Sequence, residues 1–267
     1  MAGLALGLGG IGFGPGGHGL LESDVAFSPQ QIAGLGMWLD GADPATMTLA
    51  GSAIVAWRDK GGFGADWGQT SAAARPALQA ADQINGISVP RFSGAQWLEM
   101  TGGFGLLRNV PGWTFFVVHQ RNGTGNMSVL ALSTANPNGL RLQHQNRNNA
   151  SPPNYQLAHR CLDGEGFAAR SNNDHRGAAA VAWAWRVDHV AQTARSWVGG
   201  IADASTTSGF TAPAMSDTDS AAGFVGQSLT GGDRMNGRIA EMLVWRRALP
   251  DAQVDQVNGY LAAKWGL

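Results

Sequence analysis

Short runs of apolar and alternating residues follow one another along this chain, and glycine, asparagine and proline separate them. Runs of this length between turn residues predict β-strands. The predicted strands cover residues 35–39, 54–58, 88–92, 97–100, 114–120, 128–133, 140–144, 155–159, 179–186, 194–198, 224–226 and 238–246. Their number and spacing predict an all-β sandwich of two antiparallel sheets, a jelly roll, whose inner faces form the core.

The last part of the chain has a different pattern. Residues 239–247 are apolar on both strand faces, which predicts a strand buried on both sides. Pro250 fits the first helical turn, Asp251 suits the positive helix start, and Gly266 suits the helix end. Apolar residues between them recur at three- and four-residue steps, which predicts a short amphipathic helix: Val254, Val257, Leu261 and Trp265.

Several segments carry a family resemblance. Residues 237–249 read G-R-I-A-E-M-L-V-W-R-R-A-L, and residues 260–267 read Y-L-A-A-K-W-G-L. Residues 27–44, the W-R-D-K-G-G turn at 57–62 and the N-G-I-S-V-P-R-F-S-G segment at 85–94 lie in matching order. The chain resembles, over residues 27–267, the laminin-G-like, concanavalin A-like jelly-roll domains of many bacterial and phage proteins. Gly61 stands where that family usually has serine.

Residues 1–26 form a separate, glycine-rich arm before the domain at 27–267. Ordering so many glycines costs more entropy than their side chains recover, so we expect the arm to need a neighbouring surface. Docking onto another protein or another copy is one alternative, and folding back on its own domain is the other. The predicted anchor residues are Leu4, Leu6, Leu8, Ile11 and Phe13.

Charge and cysteine content limit the function classes. The net charge of −1 gives no electrostatic reason to expect nucleic acid as a partner, and no stretch of about twenty apolar residues predicts membrane insertion. Charged residues make up only 14% of the chain, which suits a surface hidden in an assembly or a glycine- and alanine-rich domain with polar loops. Cys161 is the single cysteine, so no internal disulfide is expected.

The carboxylates predict a protein that is not an enzyme. Glycoside hydrolysis needs two carboxyl groups about 5 to 10 Å apart. The glutamates are Glu22, Glu99, Glu165 and Glu241, and none lies near another in sequence. The acid pairs Asp163 with Glu165 and Asp217 with Asp219 fall in segments typical of loops. We expect Glu241, in its buried strand, to need a partner such as arginine, and Arg58 and Asp59 to tie down a loop.

No cofactor is expected, and no metal ligand is assigned. Some relatives of this family hold Ca²⁺ with loop oxygens, so Ca²⁺ is the one alternative. The loop acids available for it are Asp163, Glu165, Asp217, Asp219 and Asp233, all of which are also ordinary turn residues.

A sugar site is the main alternative to a purely structural role. Lectin-like sites combine an aromatic face with amide and acid groups, and the segment 146–155 is rich in amides. Trp67 lies in a glycine-rich segment that predicts an exposed ring. The candidate residues are Trp67, Asn146, Arg147, Asn148, Asn154 and Tyr155, although turn formation and core packing explain the same residues.

The resemblance, the missing acid pair and the arm together predict a non-enzymatic phage virion protein, as capsid decoration or a tail or fibre component. Such a protein is assembled in the host bacterial cytoplasm and located in the virion. Its expected partners are other virion proteins, copies of itself and a host-surface glycan. The alternative is a carbohydrate-binding module of a bacterial surface or secreted protein.

Overall fold

The computed structural model describes residues 27–123, 125–132, 142–147, 154–159, 167–170, 179–206, 210, 215 and 222–267, with only the backbone at 142–147, 154–159, 167–170 and 206. The first strands are β1 Leu35–Asp40, β2 Met47–Ala50, β3 Ala53–Trp57, β4 Trp67–Gly68, β5 Ala77–Ile84, β6 Ile87–Ser93, β7 Leu98–Met100, β8 Gly112–Arg121 and β9 Met127–Leu132. The remaining elements are β10 Leu142–Arg147, β11 Asn154–His159, β12 Phe167–Arg170, β13 Val181–Asp188, β14 Thr193–Val198, β15 Ile201–Thr206, β16 Gly223–Val225, β17 Asn236–Trp245 and helix α1 Asp251–Trp265.

The strands form two antiparallel sheets. The front sheet runs β2–β3–β4–β7–β16–β9–β10–β11–β12. In the back sheet, β1 and β6 pair with successive parts of β17, and β8, β13, β14 and β15 follow on its other side. Strand β5 connects the two sheets, because it pairs with β6 and, at Ala53 opposite Ala77, with β3. The predicted antiparallel β-sandwich is therefore confirmed.

Alternation along the back-sheet strands divides the apolar residues between two cores. Phe115 and Val117 of β8 point into the core between the sheets, whereas Phe116 and Val118 point to the opposite face. A back sheet buried on both faces needs apolar residues at nearly every position, which explains the continuous apolar character of β8 and β17.

Helix α1 covers the outer face of the back sheet. Its apolar stripe packs on alternate sheet residues such as Trp38 and Leu243: Val254, Val257, Leu261 and Trp265. Gly266 ends the helix in the left-handed conformation at φ 65°, as predicted. Pro250 precedes the first helical residue, so the predicted helix start is one residue early.

A buried carboxylate joins the helix to the sheet. Glu241 of β17 accepts hydrogen bonds from the indole nitrogens of Trp38 and Trp265, each at 2.7 Å, and from the hydroxyl of Tyr260 at 2.8 Å. Lys264 lies 2.8 Å from it, so Glu241 has the partner that was expected, a lysine rather than the arginine given as the example. Burial raises the pKa of Glu241, and Lys264 opposes that shift. The structural role predicted for Glu241 is supported by this network.

The turn after β3 is organised by one carboxylate. Asp59 accepts four backbone N–H groups, from Trp38 and Gly61 on one oxygen and from Gly64 and Ala65 on the other. Arg58 donates to the carbonyl of Ala45 at 2.6 Å. Both residues tie the loop down, as predicted.

The sequence predictions locate most of the long strands to within a few residues and miss β2, β4, β5, β12 and β15. These missed strands are short or rich in alanine and polar residues, so their hydrophobic periodicity is weak. Within the described part of the chain, no helix has the length and apolar character needed to cross a membrane.

Candidate functional site

The outer face of the front sheet carries an open groove. Ala56, Gly68, Glu99 and Phe224 form one row across β3, β4, β7 and β16. Residues next to this row point the other way into the core, as Trp67 does. Because Gly68 has no side chain, the middle of the row is open, and a Cβ there would approach the Thr101 methyl group to 3.2 Å.

The groove has a volume of about 420 Å³, and its lining is mainly apolar with a few polar side chains. It is lined by Val55, Ala56, Gly68, Gln69, Thr70, Arg75, Glu99 and Thr101. Arg75 is held in place because its Nε donates to the Gln69 carbonyl at 2.9 Å and its Nη2 to the Thr70 carbonyl at 3.0 Å. Glu99, which also lines the groove, is exposed to solvent.

Trp97 stands beside the groove at Glu99. Its indole nitrogen donates to the Glu99 carboxylate at 3.2 Å, and the Arg234 guanidinium lies 4.4 Å from its ring centre. These two contacts fix a half-buried aromatic ring next to an exposed acid. The arrangement offers hydrogen-bond acceptors, guanidinium donors and an aromatic surface within one small area.

Trp67, the aromatic residue predicted for a sugar site, lies inside the core. Trp67 is 0% exposed, because β4 pairs it with Trp57 of β3 and Met100 of β7 inside the core. The predicted exposure of Trp67 is therefore wrong, and its ring offers no surface to a sugar. Trp97 was detectable from its spacing: it lies two residues from Glu99 and alternates with the apolar Leu98, which predicts an outward ring.

The other candidate residues belong to the same sheet. Strands β10 and β11 pair Asn146 with Tyr155 and Arg147 with Asn154, so these four backbone positions are cross-strand neighbours. Asn148 lies outside the described residues, as do the anchor candidates Leu4, Leu6, Leu8, Ile11 and Phe13. Their proposed roles stay predictions.

The described residues contain no group of three or more histidine, cysteine, aspartate or glutamate side chains arranged to hold a metal ion. Asp163, Glu165, Asp217 and Asp219 lie outside that part of the chain. The Ca²⁺ alternative stays a prediction.

No protein-family model matches the chain, and a search of characterised proteins finds no relative. Solved structures do resemble it. Domain 4 of a GH43 extracellular arabinanase from Geobacillus stearothermophilus, in complex with arabinotriose, has a TM-score of 0.60 at 13% identity. The match covers 84% of this chain and 98% of that domain.

Two further structures are similar over most of this chain. The binding domain of Paraclostridial Mosquitocidal Protein 1 has a TM-score of 0.59 at 10% identity, covering 85% of this chain and 52% of that one. Trypanosoma rangeli sialidase in complex with the inhibitor DANA has a TM-score of 0.54 at 12% identity, covering 85% of this chain and 33% of that one. At such identities the likeness establishes the β-sandwich fold alone, in agreement with the concanavalin A-like resemblance.

Proposed function

We propose that this chain is a carbohydrate-binding β-sandwich module and that its ligand occupies the groove of the front sheet. The observation that carries the proposal is one open groove lined by Arg75 and Glu99, with the Trp97 indole hydrogen-bonded to Glu99 next to it. Sugar hydroxyls donate to carboxylates and accept from guanidinium groups, and the apolar face of a sugar ring packs on an indole. The likeness to an arabinanase domain in complex with arabinotriose supports the same class of ligand.

The module binds without hydrolysing. Glu99 is the one carboxylate among the described residues that line the groove. Glycosidic bond cleavage uses a pair of carboxyl groups, one as acid and the other as base or nucleophile. A single acid supplies hydrogen bonds for recognition but does not complete that pair.

Calorimetric titration of the full chain with arabinotriose, xylotriose and galactotriose tests the proposal. We expect saturable binding of at least one trisaccharide, without release of shorter sugars. Trp97→Ala should weaken that binding by about tenfold, since the loss of about 50–60 Å² of apolar contact with a sugar ring costs about 1.4 kcal/mol. Phe104→Ala is the matched control, because Phe104 is an aromatic residue outside the groove with 54% of its surface exposed. Absence of saturable binding to all three sugars contradicts the proposal.

The virion role is a finer proposal about where the module acts. It is supported by the sequence resemblance and by the glycine-rich arm at 1–26, and a displayed sugar-binding module would suit it. Mass spectrometry of purified phage particles tests it. Deletion of residues 1–26 should leave a folded domain that no longer enters the particle, and continued entry would exclude the arm as the anchor.

A further inference from the structure

One buried glutamine connects the segments that carry Arg75 and Trp97. Gln69 is 5% exposed, and it is the one buried polar side chain among the described residues that line the groove. Its Nε2 donates to the backbone carbonyl of Trp97 at 3.2 Å, and its Oε1 accepts from the backbone N–H of Ser71 at 2.9 Å. Both ends of the amide are therefore hydrogen-bonded to the protein, which offsets the cost of burying a polar group.

The backbone around the same residue holds Arg75. The Gln69 carbonyl accepts from Nε of Arg75 at 2.9 Å, and the Thr70 carbonyl accepts from Nη2 at 3.0 Å. The Gln69 N–H donates to the Val55 carbonyl of β3 at 2.9 Å, so this anchor is part of the front sheet. The two bonds to Arg75 occupy the side-on edge of the guanidinium and leave its end-on N–H groups for a ligand.

Trp97 is tied to the same segment. Its backbone N–H donates to the Ala74 carbonyl at 3.0 Å, and its carbonyl accepts from Gln69. One end of the Gln69 amide therefore holds the residue that presents the indole, and the other end, at Ser71, holds the loop that leads to Arg75. Without the amide, both of these hydrogen bonds are lost, and the two side chains are free to move relative to each other.

We infer that Gln69 is a positioning residue of the sugar site, because it holds the Arg75 guanidinium and the Trp97 indole in a fixed relation to each other. This inference rests on the proposed function and adds the residue on which the geometry of the site depends. Side chains that are held in place before binding lose less conformational entropy when a ligand arrives. Gln69 acts through Arg75 and Trp97, since both ends of its own amide are already hydrogen-bonded.

The first test is calorimetric titration of the full chain and its Gln69→Met variant with arabinotriose, xylotriose and galactotriose. Methionine is an unbranched side chain of similar length that lacks the N–H donor and the carbonyl acceptor. The affinity for any trisaccharide that the wild-type chain binds should fall at least about tenfold. Asn258→Leu is the matched control, because Asn258 is a buried amide, 6% exposed, on α1 and away from the groove. It should leave the affinity within about twofold.

A double-mutant cycle distinguishes positioning from a general loss of structure. Gln69→Met is combined with Trp97→Ala and, separately, with Arg75→Ala. Because one of the two routes is absent in each background, the further loss from Gln69→Met should shrink to about threefold. An undiminished tenfold loss in both backgrounds overturns the inference, since Gln69 then acts independently of the two side chains.

Ser71→Pro is a second variant at an exposed position. Ser71 has a φ of −72°, which proline adopts, so the substitution removes the N–H that binds Gln69 and leaves the core side chains unchanged. The affinity should fall about threefold, since one of the two side-chain hydrogen bonds of Gln69 is lost. This variant carries the test if Gln69→Met does not fold, which urea unfolding shows.

The outcomes separate the two proposals. Full affinity in a folded Gln69→Met variant overturns the inference and leaves the carbohydrate-binding function standing, and full affinity in Ser71→Pro does the same where Gln69→Met does not fold. Failure of the wild-type chain to bind any of the three sugars overturns the proposed function, and the inference falls with it.

Discussion

Lys264, in the last turn of α1, lies 2.8 Å from the carboxylate of Glu241, which is fully buried on β17. Lys264 also lies 2.7 Å from Asp40 of β1, so one ammonium group joins the helix to two neighbouring strands. A helix of this length is marginal by itself, and its position depends on contacts of this kind.

Replacement of Lys264 by methionine should destabilise the protein by about 3 kcal/mol, because it leaves the Glu241 charge buried without its cation. Urea unfolding measures the change in the free energy of unfolding. Asp255→Asn on the exposed face of the same helix should change it by less than about 0.5 kcal/mol. In the double variant with Glu241→Gln, the two losses should be far from additive, since both remove the same interaction. Additive losses would show that the pair does not act as a unit.

The fold was predictable because its longest strands are uninterrupted runs of apolar residues. Strand β17 is apolar on both faces, and the structure places the inter-sheet core on one side and α1 on the other. Strand β5, rich in alanine and exposed polar residues, gives almost no periodic signal. Its pairing with β6 depends on tertiary contacts, which the local sequence pattern does not predict.

The site was harder to predict, because a glycine-rich segment is compatible with either an exposed loop or a tight turn between strands. The glycines around Trp67 suggested an exposed loop, yet Gly62 and Gly64 adopt positive φ in a tight turn fastened by Asp59. That turn returns the chain to the sheet and directs the Trp67 ring inward. The groove is lined by residues from segments that are far apart in sequence. No single stretch of the sequence therefore predicts it.

The two tryptophans should respond in opposite ways to alanine. Trp67→Ala should lower the free energy of unfolding by about 3–5 kcal/mol, because it opens a cavity in the core. Trp97→Ala should lower the free energy of unfolding by about 1 kcal/mol or less and should instead weaken sugar binding. Chemical denaturation and calorimetric titration of both variants measure the two effects. If Trp67→Ala leaves the protein stable but weakens sugar binding, Trp67 contacts the sugar and the assignment of its ring to the core is wrong.

Filling the groove should block the ligand without unfolding the protein. Gly68→Val places branched carbons where the row is open, and the nearest obstacle is the side-chain methyl of Thr101. We expect sugar binding to fall more than tenfold, while the free energy of unfolding drops by about 1 kcal/mol.

The matched control is Gly259→Ala on α1, where an added Cβ has no neighbour within 4 Å. This substitution should raise the free energy of unfolding by about 0.5–1 kcal/mol and leave the affinity for sugar unchanged. Binding that survives Gly68→Val at full strength would place the ligand elsewhere on the molecule.

Two buried histidines should make the protein sensitive to mild acid. Burial lowers the pKa of His119 to about 3, with Arg121 adding to the shift, and burial lowers that of His189 to about 4. In the unfolded chain both titrate near 6.5, so between these values the unfolded state binds more protons and stability falls as the pH falls. Each histidine should lower the free energy of unfolding by about 2 kcal/mol at pH 5 relative to pH 7.5.

Urea unfolding at both pH values, in the wild-type chain and in His189→Gln, measures this dependence. Between pH 7.5 and pH 5, the free energy of unfolding of the variant should fall by about 2 kcal/mol less than that of the wild-type chain. This difference does not depend on the stability of the variant at neutral pH. The comparison isolates the histidine because the raised pKa of Glu241 acts in the opposite direction and is common to both proteins. If both proteins lose the same free energy on acidification, His189 is not kept neutral by burial in the folded state.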